Sequence, residues 1–139
     1  MTVCLDTNVF LQIFGKKQPY YSILRAVLDG QITLALSTDI LLEYEEVTVQ
    51  LSGAERWQDI AKLIVLLDQL HDNIRQVEPQ YRFGIIVIDP DDNKFCDCAI
   101  AAGADFVVTE DNHFSVLKAA GYKPQPITPS EFIRSHLAS

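Results

Sequence analysis

At 139 residues, 48% of them hydrophobic and 22% charged, the chain is sized for one soluble domain spanning 1–139 that buries its own core. A formal net charge of −8 argues against the broad basic surface that usually marks nucleic-acid binding. It leaves open an acidic site that reaches phosphates through bound cations. No run is long enough to span a bilayer, so no membrane association is expected. The first residues carry no basic region followed by an apolar stretch, and no secretory signal is expected. Three cysteines without framework spacing suit a reducing cytoplasm.

Thr2 to Leu5 reads as a strand ending at Asp6, followed by a short helix from Asn8 to Phe14. Tyr20 to Asp29 has helical spacing and stops at Gly30; Ile32 to Leu36 is a second strand. Ser37 can cap a helix from Thr38 to about Leu51, and after Ser52-Gly53 a longer amphipathic helix runs from about Ala54 to Leu70. Ile74 to Tyr81 is ambiguous, and Ile85 to Ile88 reads as a strand or an extended connection. A helix from Asn93 to Ala102 and a strand from Asp105 to Val108 follow. The next helix starts near Asn112 and ends at Gly121, Ile127 marks a short last strand, and Pro129 opens a terminal helix. Strands alternating with helices predict a parallel sheet covered on both faces.

In such sheets sites form at the carboxyl ends of the strands. Asp6 follows the first strand, and Thr109, Glu110 and Asp111 follow the strand at 105–108. Helix geometry sorts the remaining acids. With the apolar stripe of 38–51 at Ile40, Tyr44, Val47 and Leu51, Glu43 lies about 60° from Ile40, while Glu45 and Glu46 lie about 140° and 120° away. Glu43 is therefore the glutamate expected to face the domain. In the helix at 93–102, Asp92 projects over the apolar arc at the helix start, whereas Asp97 projects opposite its centre and is expected to be solvated.

Each acid has a plainer reading: Asp92 as an N-cap, Asp6 as a turn residue, Asp111 as a cap, Glu43 as an exposed helical side chain. The four together outweigh those readings, because four separate elements each offer an acid where the fold gathers them. Cys96 and Cys98 stand about 200° apart on a helix and cannot grip one metal, so they and Cys4 are read as core. His71, His113 and His136 lack ligand spacing; His113, close to Asp111, is within reach of a substrate but reads as a surface residue. No phosphate-binding glycine loop or nucleophile elbow occurs.

Carboxylates crowded together repel, and a divalent cation removes that penalty. Oxygen ligands select Mg²⁺ or Mn²⁺, and such a site suits metal-assisted hydrolysis of a phosphodiester.

The stretches "LDTNVF", "LSTDILLEYEEV", "DPDDNKFCDCAIAAGADFVVTEDNHF" and "ITPSEFI", in this order, resemble the PIN-domain ribonucleases, in particular PIN toxins related to VapC-type toxin–antitoxin components. The resemblance implies a three-layer α/β/α fold with a central parallel sheet. It also implies a metal-dependent endoribonuclease acting on single-stranded RNA, with an antitoxin protein and a homodimer as expected partners. Carried over, the acids are Asp6, Glu43, Asp92 and Asp111, as catalytic residues and as Mg²⁺ or Mn²⁺ ligands, with Asn8 and Thr109 supporting. Glu110 stands where the family often has a small residue. The apolar-rich "AKLIVLLDQL" also suits self-association.

Three other functions compete. A non-catalytic PIN-fold module would bind RNA or protein without cutting. A haloacid-dehalogenase-like phosphatase wants a second Asp two residues after the first, where this chain has Asn8. A receiver-like domain is weaker still, since no clear phosphoacceptor strand or matching lysine is present.

Overall fold

The computed structural model describes residues 1–80, 84, 86, 90–121 and 123–137. Among these residues five strands form one sheet: β1 (Thr2–Leu5), β2 (Thr33–Leu36), β3 (Ile74–Gln76), β4 (Phe106–Val108) and β5 (Gln125–Ile127). Their order is β3-β2-β1-β4-β5, and every pairing is parallel. Helices cover both faces, giving the three-layer α/β/α arrangement. The helices are α1 (Thr7–Phe10), α2 (Tyr21–Leu28), α3 (Thr38–Ser52), α4 (Ala54–His71), α5 (Asn93–Ala102), α6 (Ser115–Ala120) and α7 (Pro129–Phe132). Single tight turns at Pro90–Asp92 and Asn112–Phe114 lead into α5 and α6.

Local chemistry sets most boundaries. Asp6 accepts from the Thr7 N–H at 2.8 Å and ends β1 by capping α1. Ser37 caps α3 through the Ile40 N–H, and Thr128 caps α7, whose first residue is Pro129. Gly103 leaves α5 at φ +64°, a left-handed conformation that glycine adopts without strain. The first helix is shorter than its sequence suggests, because the Tyr20 N–H returns to the Gln12 carbonyl at 3.2 Å and folds the chain into a loop. β3 resolves the ambiguous segment that begins at Ile74. The segments expected at 81 and at 85–88, and Asp89, fall largely outside the described residues. Ile86, within them, is buried and exchanges both backbone bonds with the Asn93 amide.

Two helices differ in phase from their sequence reading. On α3 the buried stripe is Ile40, Tyr44 and Thr48, with Val47 half-buried and Leu51 exposed. On α5 burial is nearly continuous: Phe95, Cys96, Asp97, Cys98 and Ala99 are all buried. This helix lies on β1, β2 and β4 and also meets α3, so it has a second buried flank that no single apolar arc predicts. Asp97, expected in solvent, is only 7% exposed.

An aromatic chain runs through the core. Phe10 stacks on Tyr44 with centroids 3.8 Å apart, Tyr44 reaches Phe95 at 6.5 Å, and Phe95 meets Phe114 edge-on at 6.4 Å. The Tyr44 hydroxyl donates to the Leu5 carbonyl at the end of β1. Outside the core, Leu42 and Leu51 on α3 and Val65, Leu66 and Leu70 on α4 stay exposed. Among the described residues no helix is long and apolar enough to cross a membrane.

Candidate metal centre

β1 and β4 are neighbours with Leu5 opposite Val108, so the residues that follow them emerge side by side. Asp6 is one and Thr109 is the other. The Thr109 hydroxyl donates to Asp6 Oδ2 at 2.7 Å and accepts the Asp111 N–H at 2.9 Å. Asp6 is buried, and that burial raises its proton affinity above the ordinary carboxylate range. The bonds from Thr109 and Thr7 pull the other way, while the charges of Asp111 and Glu43 raise it further.

Glu43, half-buried on α3, is held at both oxygens. Oε2 accepts from the Thr7 hydroxyl and Oε1 from Lys94 Nζ at 2.7 Å. Burial works against the Lys94 ammonium, but the bond and charge of Glu43, with Asp91 and Asp39, outweigh it and favour the charged form. Asn8 is exposed and contributes its backbone carbonyl to Gln12. Thr7, its neighbour, is the residue of this turn that ties the acids together.

Asp111 caps the turn at 112–114, accepting the His113 N–H at 2.8 Å. Asp92 sits at the N-cap position of α5 without capping it. Its Oδ2 lies instead 3.3 Å from His113 Nδ1, which is 3.2 Å from Asp111 Oδ1. Asp92, Asp111 and His113 each offer a ligand atom, and these atoms lie within 4.8 Å of one another. Two groups therefore overlap at Asp111: one with Asp6 and Glu43, the other with Asp92 and His113.

The donor set suits a hard cation. It offers carboxylate oxygens with one imidazole, and no thiolate. Cys96 is the thiol that senses Asp97 and Asp92, and burial, followed by those two charges, pushes it up to about 12, so it stays neutral. Cys4 is likewise raised, first by its bond with Cys98 and then by burial. Glu110 turns to Gln12, which donates to it at 3.0 Å.

Beside this centre opens a cleft of about 1040 Å³ lined by Ser37, Glu43, Glu46, Lys94 and Asp97 among others. Asp6, Asp92 and Asp111 do not line it; Glu43 is the acid common to cleft and cluster. Sequence reasoning missed two residues of this region, Asp97 and His113. The first was hidden by the double burial of α5. The second was noted for its place near Asp111 and read as a surface residue all the same.

The family model described as a PIN domain matches residues 2–113. The chain belongs to the PIN-domain family. A solved structure similar in fold to this PIN domain is VapBC2 from Rickettsia felis, bound to a DNA fragment from its promoter. The likeness has a TM-score of 0.58 at 20% identity and covers 92% of this chain and 98% of that one. No curated protein matches the PIN domain in sequence.

Proposed function

We propose that this PIN domain is a metal-dependent endoribonuclease that cleaves single-stranded RNA as the toxin of a toxin–antitoxin pair. The observation that carries the reading is the convergence at Asp111 of two acidic groups from four elements, at the carboxyl edge of the sheet. Asp6, Glu43, Asp92 and Asp111 are the proposed Mg²⁺ or Mn²⁺ ligands, with His113 added from the folded cluster and Asp97 as a further candidate from the adjoining cleft. When bound, such an ion lowers the pKa of coordinated water and offsets charge on the attacking and leaving oxygens of a phosphodiester.

The chain's own part is positioning. Thr109 and the Thr7 N–H fix the two oxygens of Asp6, the Thr7 hydroxyl and Lys94 fix Glu43, and the His113 N–H fixes Asp111. Asp6, Glu43 and Asp111 are thus each oriented by neutral donors, joined at Glu43 by the Lys94 ammonium. The open cleft beside Glu43 leaves room for an extended strand rather than only a small molecule.

An antitoxin protein and a second copy are the proposed protein partners. The exposed leucines of α3 and α4 give either one an apolar surface to cover. The PIN-family membership and the VapBC2 likeness in fold support the toxin reading.

The test is cleavage of single-stranded RNA by purified protein with and without Mn²⁺, beside Asp6→Asn. Mn²⁺-dependent internal cleavage that Asp6→Asn loses is the expected result. RNA binding without cleavage at any divalent ion would favour the non-catalytic module.

A further inference from the structure

Lys94 occupies the first turn of α5, where the helix dipole disfavours a cation. A lysine placed for helix stability belongs at the other end. Its ammonium is nevertheless held 2.7 Å from Glu43 Oε1, with about a quarter of each side chain exposed. Asp91 and Asp39 reinforce it electrostatically. Among the described residues lining the cleft, Lys94 is the sole cation, facing Glu43, Asp97 and other carboxylates.

This arrangement sets up a competition, given the metal reading above. Glu43 has one oxygen engaged by Thr7 and the other by Lys94. A divalent ion that takes the second oxygen competes with Nζ for it, and the like charges of ion and ammonium repel at that distance. The displaced ammonium sits on a flexible four-carbon stem, in a cleft whose other charged groups, among the described residues, are all carboxylates. We propose that Lys94 is an exchangeable counterion, neutralising Glu43 in the metal-free protein and moving to a phosphate of the bound RNA when a divalent ion takes Glu43. It is a positioning residue in the first state and a substrate contact in the second.

The consequence is a pair of opposite effects from one substitution. Removing Lys94 should strengthen metal binding and weaken RNA binding, which a purely structural salt bridge would not do. The experiment uses the full chain as wild type, Lys94→Gln, Lys94→Arg and Lys118→Gln. The last removes the same charge from an exposed position on α6. Mn²⁺ binding without RNA is followed by the electron paramagnetic resonance signal of the free ion. Binding of a short single-stranded oligoribonucleotide is then followed by anisotropy across a salt series at saturating Ca²⁺, a hard oxygen-liganded cation offered in place of the catalytic ion, with the oligonucleotide verified intact by gel.

Lys94→Gln should bind Mn²⁺ roughly two- to fivefold more tightly than wild type and than Lys118→Gln, the factor an ion pair of this exposure carries. The slope of log affinity against log salt for RNA should fall by about 0.7, one phosphate contact on a single strand. Lys94→Arg should keep the wild-type slope. Mn²⁺ affinity in Lys94→Gln equal to or below that of Lys118→Gln would overturn the competition. An unchanged salt slope would overturn the transfer to phosphate. No saturable Mn²⁺ binding in wild type would sink the metal reading itself and the exchange with it, so the two failures are told apart.

Discussion

The Thr109 hydroxyl stands between Asp6 and Asp111, giving its proton to the side chain of one at 2.7 Å and accepting the backbone N–H of the other at 2.9 Å. One oxygen thereby fixes the spacing of two candidate ligands that arrive from different strands. Thr109→Val removes both bonds while preserving shape. Metal affinity and RNA cleavage should fall about 10- to 100-fold, the usual cost of losing a partner that orients a ligand. Thr109→Ser should retain most of both. Titration calorimetry with Mn²⁺ checks the affinity, and equal losses in the Val and Ser variants would contradict the role.

Asp6 gives a pH dependence with a definite sign. Its carboxyl binds a proton more tightly in the folded protein than the ordinary carboxylate does, first through burial. The stability tied to that proton is present at pH below the unfolded value and lost as pH rises through the folded one. Without divalent ions, Asp6→Asn should therefore melt higher than wild type near neutral pH, and the gap should close on acidification toward the ordinary Asp range. Mn²⁺ at about 100 times its dissociation constant should then stabilise wild type by roughly 2.7 kcal/mol and Asp6→Asn far less. Thermal melts at constant ionic strength read both effects.

Asp97 is the acid on which sequence and fold disagree, and its burial reverses the expectation for its removal. Asp97→Asn keeps shape and should reduce cleavage by an order of magnitude or more, comparable to other changes at metal-site carboxylates. Glu46→Gln, exposed on the same cleft, should stay within about twofold, as substitutions of exposed charges usually do. Initial rates on one RNA substrate decide it; full activity in Asp97→Asn would return this residue to a structural role.

Thr48 makes a prediction independent of function. Among the described residues its hydroxyl, buried on α3, has no hydrogen-bond partner. Thr48→Val exchanges the hydroxyl for a methyl of similar size and should stabilise the protein by about 1 kcal/mol or more, the penalty of an unsatisfied polar group. Chemical denaturation with an unchanged slope and a higher midpoint is the expected observation.

Apart from the ambiguous segment that became β3, the order and type of the described elements were legible in the sequence because each is locally determined. Ser37 and Pro129 announce helix starts, and alternating strands and helices announce a parallel sheet. Asp6, Glu43, Asp92 and Asp111 were legible as candidates for a related reason: strand ends and helix phase are short-range properties. What was not legible depends on a second neighbour. Asp97 was assigned to solvent because one apolar arc on α5 predicts one buried side, and α3 supplies the other. His113 joined the cluster only once the turn after β4 brought its ring between Asp92 and Asp111. The short first helix likewise reflects a return contact, Tyr20 to Gln12, with no local signature.

The aromatic chain Phe10–Tyr44–Phe95–Phe114 has one ring from each segment that carries a proposed ligand: Phe10 lies four residues after Asp6, Tyr44 one after Glu43, Phe95 three after Asp92 and Phe114 three after Asp111. All four rings are essentially inaccessible to water. The scaffold that spaces the acids is therefore made of parts that do not titrate in the working range and do not bind cations from solution. The raised proton affinity of Asp6 comes first from its own burial against this frame, and the charges of Asp111 and Glu43 add to it. A frame of buried, uncharged rings gives charge, proton and metal at the edge of the sheet nothing to act on directly, so the spacing of the mounts is expected to hold as the load changes.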